Sequence, residues 1–500
     1  MASGKTPPLT ELINSLSTNE KRYFKLFTAN SSGDQNYQKL FNAIEKDKIK
    51  DPKELKKRMS NTNMNVSYEK AYLQKMLMRA LRNFHEDSST EIWLHQTLTD
   101  VEILFNKQNY DLCQMLIKNA MAVAEENEHF AMVMQLLKWQ RRIMIRKGQY
   151  ADVAKQNPEL IAKEKECLQK MENLMYFKDL QANFLYLISQ KGNARREEEM
   201  AGFTELIKHP ILQKEENALS HNATLLYFDC WNWYYQHTLQ IENAYKNCHR
   251  MVAYIEKNPA KIKLHPQSYM AALSSLANRC SNYEKYDEAL RVIEKLEKMH
   301  TIKGIKIPKS LQTEILIYST ERRLMIYGFS RDFKKGIEWY EKTKAEIEKN
   351  KKTLRPTFLS MYHQLISLCY LHLHRYADAL KHLRIVFDEI DDKQRSDSFL
   401  YSHLLHVITH FELKNYQLLP YLLKSVERFA RSRGFKQETI GLFIKMFNEL
   451  TRHNSKQDVQ RILKNYHPKF TALNQLNSDS VIMGTIDLDL WMTDRMNRSK

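Results

Sequence analysis

The sequence predicts an all-α protein: a right-handed superhelical array of antiparallel helical hairpins behind an N-terminal helical domain. Glycine and proline number only 11 each in 500 residues, too few turn-formers for the closely spaced turns that strands require. A bulky anchor recurs at Tyr110, Tyr150, Ile241, Tyr286, Phe333, Tyr376 and Tyr416. Three residues later comes a small or compact partner at Cys113, Val153, Ala244, Ala289, Gly336, Ala379 and Leu419. The gaps between anchors are 40, 91, 45, 47, 43 and 40 residues, and the 91 reads as two units with a degenerate anchor between them. In a helical sequence such a period denotes stacked hairpins.

Residues 1–86 form the N-terminal domain. Short helices are expected at Leu9–Leu16, Asn19–Thr28 (capped by Thr18), Tyr37–Lys46 and Pro52–Met59, the last opened by Asp51 and Pro52. A longer helix over Tyr68–Phe84 carries the apolar stripe Tyr72, Leu73, Met76, Leu77, Ala80, Leu81, Phe84, with Lys70, Gln74, Lys75, Arg79 and Arg82 opposite. His85–Thr90 marks the boundary. Hairpins then fill residues 91–433, and a helical cap over 434–473 covers the last apolar face. The tail, 474–500, breaks the pattern; Ile486, Leu488 and Leu490 alternate with polar residues, giving an extended piece or a short helix that docks through Trp491.

In one hairpin Leu273, Leu276, Ala277 and Cys280 form a stripe, a polar turn leads to Tyr286, and Ala289, Ile293 and Leu296 line the second helix. A second has His363, Ile366, Ser367 and Tyr370, then Ala379, Leu383 and Val386. A third has Phe228, Trp231, Asn232 and Tyr235, then Ala244, Cys248 and Met251. These residues resemble the tetratricopeptide repeat over about two thirds of the chain, with spacing longer than that repeat's 34 residues. Taken with the opening run LINSLSTNEKRYFKLF, they resemble a group of bacterial repeat proteins, a likeness that carries no activity with it. The resemblance implies a groove, lined by the first helix of each hairpin, that holds peptides or partner helices.

Lys plus Arg exceed Asp plus Glu by 77 to 59, a net charge of +18, which favours anionic partners without defining a site. The six cysteines form no C-x-x-C pair and read as buried reduced thiols. With no apolar leader and no long uncharged apolar run, the expectation is a cytoplasmic protein without a membrane span.

No phosphate-binding loop, H-E-x-x-H motif or nucleophile elbow occurs, so no catalytic residue, cofactor or metal is expected and the chain is not read as an enzyme. His403, His406 and His410 share a helix face at zinc-compatible spacing, yet they fall at packing positions and are assigned to the core. His372, His374 and His382 are read as packing or surface groups. In the aromatic cluster around Trp231, residues Phe228, Trp231 and Tyr235 form the expected core stripe, while Trp233 points elsewhere, to a neighbouring hairpin or to a partner.

The function expected is a protein–protein interaction scaffold or adaptor that binds a peptide or partner protein in the concave groove. The register places Lys138, Arg142 and Ile145, then Asp229, Trp233 and Gln236, then Ser274, Asn278 and Ser281 on the groove face. Lys138 and Arg142 suit an acidic side chain or C-terminal carboxylate, and Asn278 a peptide backbone. The alternative is a nucleic-acid-linked regulator, with Pro52–Met59 and Tyr68–Phe84 as a helix-turn-helix-like reader and the repeats as sensor.

Overall fold

A computed structural model describes residues 8–29, 36–47, 65–85, 89–191, 197–389, 396–432, 438–476 and 486–498. Among these the regular structure is entirely helical, so the protein is all-α. The expected helix Pro52–Met59 lies outside the described residues, as does most of the loop that follows it. The chain divides into two compact units, Met1–Met175 with Leu219–Asn222 and Tyr176–Ala218 with Ala223–Lys500.

The first unit opens with α1 (Pro8–Ser15), α2 (Thr18–Ala29), α3 (Asn36–Asp47) and α4 (Val66–Phe84). They enclose Ile13, Phe24, Leu40, Phe41, Ile44, Leu73, Leu77 and Ala80. Tyr72 and Phe84, assigned to the α4 stripe, are exposed at its rim. The cap of α2 is Ser17 rather than Thr18: Ser17 N–H donates to Glu20 at 2.6 Å and Glu20 N–H to Ser17 Oγ at 3.3 Å. That reciprocal pair satisfies two helix-end donors at once. Then come α5 (Thr90–Asn106), α6 (Tyr110–Glu126), α7 (Phe130–Arg146) and α8 (Tyr150–Lys191). Helices α5, α6 and α7 pack mutually around Val101, Cys113, Ile117, Ala120, Leu136 and Ile143.

Residues 192–196, about where a degenerate anchor between Tyr150 and Ile241 is expected, lie outside the described residues. Helix α8 runs unbroken for 42 residues with Pro158 inside it, and the boundary between the units falls within it. Among the described residues no positive φ lies between Gly148 and Leu239, and Phe184 of α8 meets Phe203, beyond residues 192–196, with ring centroids 6.2 Å apart.

The second unit continues with α9 (Glu197–Ile207), α10 (His221–His237), α11 (Ile241–Glu256), α12 (Pro259–Leu264), α13 (Pro266–Asn282) and α14 (Tyr286–Glu297). Next are α15 (Lys309–Phe329), α16 (Phe333–Asn350), α17 (Pro356–His372), α18 (Tyr376–Glu389), α19 (Ser396–Glu412) and α20 (Leu419–Ser432). The last are α21 (Glu438–Arg452), α22 (Lys456–Leu476) and α23 (Leu488–Asn497). From α13 to α22 each helix packs on the next, and α13, α15, α17 and α19 also touch in succession.

Six of the seven anchors are the first residue of a helix. The residue two places before every anchor has positive φ: Gln108, Gly148, Leu239, Glu284, Arg331, His374 and Lys414. An eighth such turn, at Glu128, precedes Phe130. In each, the next N–H reaches back five residues, as in Lys285 N–H to Cys280 O at 2.8 Å and Arg375 N–H to Tyr370 O at 2.9 Å. This is the Schellman closure, which satisfies the last carbonyls of the preceding helix. The anchor thus starts a helix, and the residue three places on, one turn in, faces the partner helix. Tyr150 and Ile241 are accordingly exposed, whereas Cys113, Ala244, Ala289, Gly336, Ala379 and Leu419 are all buried.

The tail ends in helix α23, and Trp491 docks it. Its indole stacks on Phe447 at 5.5 Å and donates to Glu412 at 2.8 Å. Arg331, a positive-φ turn residue, grips Asp487 through two hydrogen bonds of 2.8 and 3.0 Å. Arg498 donates to the Tyr376 hydroxyl at 2.8 Å. The tail therefore meets the turns of three successive hairpins, α15–α16, α17–α18 and α19–α20.

Two substitutions test the turn and the close approach. A Cβ on Gly336 would lie 2.7 Å from Cys369 Sγ, so Gly336→Ala is expected to cost about 1–3 kcal/mol despite alanine's better helix propensity. Glu284 holds φ 58° without being glycine, and Glu284→Gly is expected to stabilise by up to about 1 kcal/mol. Thermal melts of the two variants should move in opposite directions; a stabilised Gly336→Ala would refute the packing described.

Candidate functional site

The groove register places its residues differently in the two units. In the first, Lys138, Arg142 and Ile145 on α7 are all exposed. The Arg142 guanidinium lies over Trp139 at 4.2 Å and Phe105 at 4.9 Å, which fixes its plane while leaving its charge toward solvent. In the second, Asp229, Trp233 and Gln236 on α10 are half-buried, as is Asn278 on α13, whereas Ser274 and Ser281 are buried. Trp233 packs against Phe184 with ring centroids 5.9 Å apart, the neighbouring-helix role weighed for it. Of the expected core stripe, Phe228 is buried but Trp231 and Tyr235 are only half-buried, because the buried arc of α10 turns toward Tyr227, Cys230 and Asn232. Trp231 Nε1 instead donates to Leu212 O at 3.2 Å.

The electrostatic centre of this face is a pair of arginines that sequence reasoning did not single out. Arg279 on α13 is 8% exposed, and its guanidinium donates to Gln236 Oε1 on α10. Arg322 on α15 donates to Asn278 Oδ1 at 3.1 Å. Burial, with Arg322 as a nearby like charge, lowers the Arg279 pKa from its ordinary value. Among the described residues the one ion pair of these two arginines is the long contact of Arg322 with Glu321 at 3.9 Å. Arg279 Nε, Arg322 Nε, Ser274 Oγ, Thr320 Oγ1 and Asn232 Nδ2 are buried without a hydrogen-bond partner. Buried donors left unmade cost free energy, and the two arginines, each a fork of donors, are the groups here that suit an anion. A signal did exist in the sequence: the partners Gln236–Arg279 and Asn278–Arg322 are 43 and 44 residues apart, one repeat period.

Asp229 lies two turns before Gln236 on α10. Burial alone pushes its carboxyl up to about 7, so near neutrality it is partly protonated and opposes an anion less than a full charge would.

The histidines are placed as packing groups. His403 lies 4.8 Å from Phe387 and 5.1 Å from Phe429 between ring centroids. His410 Nε2 is 3.0 Å from His406 Nε2, and Asn415 donates to His410 Nδ1 at 2.9 Å. His410 thus carries its proton on Nε2 and gives it to His406, so both rings are neutral. A second pair, His363 and His382, meets Nδ1 to Nδ1 at 2.9 Å. His372 stacks on Phe333 at 4.5 Å, and His374 is exposed. All six cysteines are buried and free.

The chain matches no family model, no curated protein and no solved structure. Among the described residues no helix is long and apolar enough to cross a membrane.

The buried histidines make a pH prediction. Burial pushes His363 and His406 down to about 3 and His382 down to about 4. Their folded values lie below the unfolded value of about 6.5, so between those limits the unfolded chain binds more protons and stability rises with pH. Stability should therefore be level above about pH 6.5 and fall as pH drops toward 5, still above the carboxylate range. Melts from pH 7.5 to 5 should show this slope, and His382→Gln and His406→Gln should each reduce it by about one proton. An unchanged slope in both variants would show that these rings are charged in the fold.

Proposed function

We propose that this protein is a protein-binding adaptor, and that the hairpins of its second unit stack as a right-handed, tetratricopeptide-like superhelical array. Its first-helix face takes an acidic peptide, with a carboxylate at Arg279 and Arg322. One observation carries the reading: two neighbouring arginines, one of them buried, are bonded to the neutral amides of Gln236 and Asn278 rather than to acids. Holding like charges together at a half-buried surface is unfavourable unless an anion joins them. Asn278 and Gln236 then position the guanidinium forks, and a carboxylate pairs with the two arginines. In the first unit, exposed Lys138 and stacked Arg142 offer a separate positive face for acidic side chains.

The regulator reading rests on α4, where Gln74, Lys75, Arg79 and Arg82 are exposed along one helix. The helix that would complete the reader lies outside the described residues.

Peptide libraries with free C-termini, screened against the whole chain, separate these readings. Enrichment of acidic sequences is expected, with at least tenfold weaker binding by Arg322→Glu and a smaller loss for Lys138→Glu with Arg142→Glu. Helicity and melting temperature should be unchanged in the Lys138/Arg142 variant. Duplex DNA bound with steep salt dependence, and lost on charge reversal of Lys75, Arg79 and Arg82, would favour the regulator instead. Acidic and neutral peptides bound equally well by wild type and Arg322→Glu would overturn the arginine assignment.

A further inference from the structure

Three donors of different chemistry converge on one side of the α11, α13 and α14 packing. His249 lies in the third turn of α11, Cys280 near the end of α13 and Glu288 in the first turn of α14. One ligating atom from each lies within 4.8 Å of the other two. We propose that His249, Cys280 and Glu288 bind a single zinc ion, a site distinct from the arginine face.

The local fold explains the convergence. The turn at Glu284, φ 58°, reverses the chain between α13 and α14. Its closing bond from Lys285 N–H to Cys280 O at 2.8 Å sets Cys280 and Glu288 on facing helix ends. His249 is steadied from its own helix by the ring of Tyr245, 4.6 Å between centroids and edge to face. Its Nε2 lies 2.9 Å from Glu288 Oε1 yet is buried without an aligned hydrogen bond. The two side chains are thus close without a hydrogen bond made between them. Zinc bonds of about 2.0–2.3 Å in tetrahedral geometry put donors about 3.3–3.7 Å apart, so the His249–Glu288 pair at 2.9 Å must open slightly and donors as far apart as 4.8 Å must close by about 1 Å or more.

The donor set is also chemically matched. Imidazole nitrogen, thiolate and carboxylate are zinc ligands. Neutral His249, a Cys280 thiolate and the Glu288 carboxylate bring two negative charges against the ion's two positive ones, leaving a neutral cluster. Binding releases the Cys280 thiol proton to solvent. Tyr245 donates its hydroxyl to the other Glu288 oxygen at 2.9 Å, the kind of outer contact that orients a ligating carboxylate. Lys285, 3.1 Å from the Tyr245 oxygen, is the nearby cation; it bonds to the phenol rather than to a ligand. Three protein ligands leave the fourth position to water.

Cobalt(II) is a spectroscopic stand-in for zinc that reports thiolate ligation directly. The whole chain, stripped with chelator under reducing conditions, is expected to bind one cobalt per molecule with a thiolate-to-metal charge-transfer band. Zinc should displace the cobalt and raise the melting temperature. Cys280→Ser should abolish the band. His249→Gln and Glu288→Gln, at half-exposed positions where folding is readily checked by circular dichroism, should weaken binding at least tenfold. A folded chain without a thiolate band overturns the site. So does a band unaffected by both Gln variants, or binding that is lost in His406→Gln but retained in His249→Gln.

Discussion

Each described hairpin turn that follows an anchor's positive-φ residue depends on that one residue held between two helices. The conformation lets the chain reverse in three residues while the carbonyls of the ending helix are still satisfied. It also sets where the next helix begins, and hence which side chain, three residues in, meets the partner helix. Where that side chain is Gly336, the helices approach until a sulfur atom fills the space a Cβ would occupy. Elsewhere the position holds alanine, cysteine, valine or leucine. Backbone geometry at the turn and side-chain size in the helix are thus two expressions of a single constraint.

Seven of these eight turn residues are not glycine, at a backbone cost that only a compensating role would offset. For Arg331 the compensation is visible in its paired bonds to Asp487. The same turn geometry at Glu284 brings Cys280 and Glu288 to facing helix ends, so the hairpins' packing device also assembles unlike donors from separate helices. Its interior polar groups are handled in two ways. The histidine pairs satisfy one another as neutral rings, whereas Arg279 and Arg322 keep their charge and lean on amides.

Much of the helical layout was legible in the sequence because helix starts and small packing residues repeat in fixed register. The agreement within two residues at both ends of α1, α3 and α4 follows from apolar periodicity and capping residues. The turns themselves were not legible, since Gln108, Leu239 or Lys414 carries no glycine-like signal for positive φ. The length of helix α8 was not legible, because the interval between Tyr150 and Ile241 carries no anchor to mark that a single helix fills 42 of its residues. On the candidate site, Asn278 was found by register, but Arg279 stands at a packing position and became visible only once its neighbour Arg322 was placed. Trp233 was legible as off-stripe, yet only three-dimensional placement supplied Phe184 as its neighbour. The convergence of His249, Cys280 and Glu288 leaves no motif, because it joins three helices across a turn.

Contacts confined to neighbouring helices make stability nearly one-dimensional, so that end hairpins fray independently. The tail changes this for the last part of the second unit. Its bonds to Arg331, Tyr376 and Glu412 span 156, 122 and 79 residues of sequence. Opening any one of those three hairpins alone must either break its tail contact or pull the tail from the other two. The helices from α15 to α20 are thereby joined into one cooperative unit, and their amides exchange with solvent through shared openings rather than through a gradient of local ones.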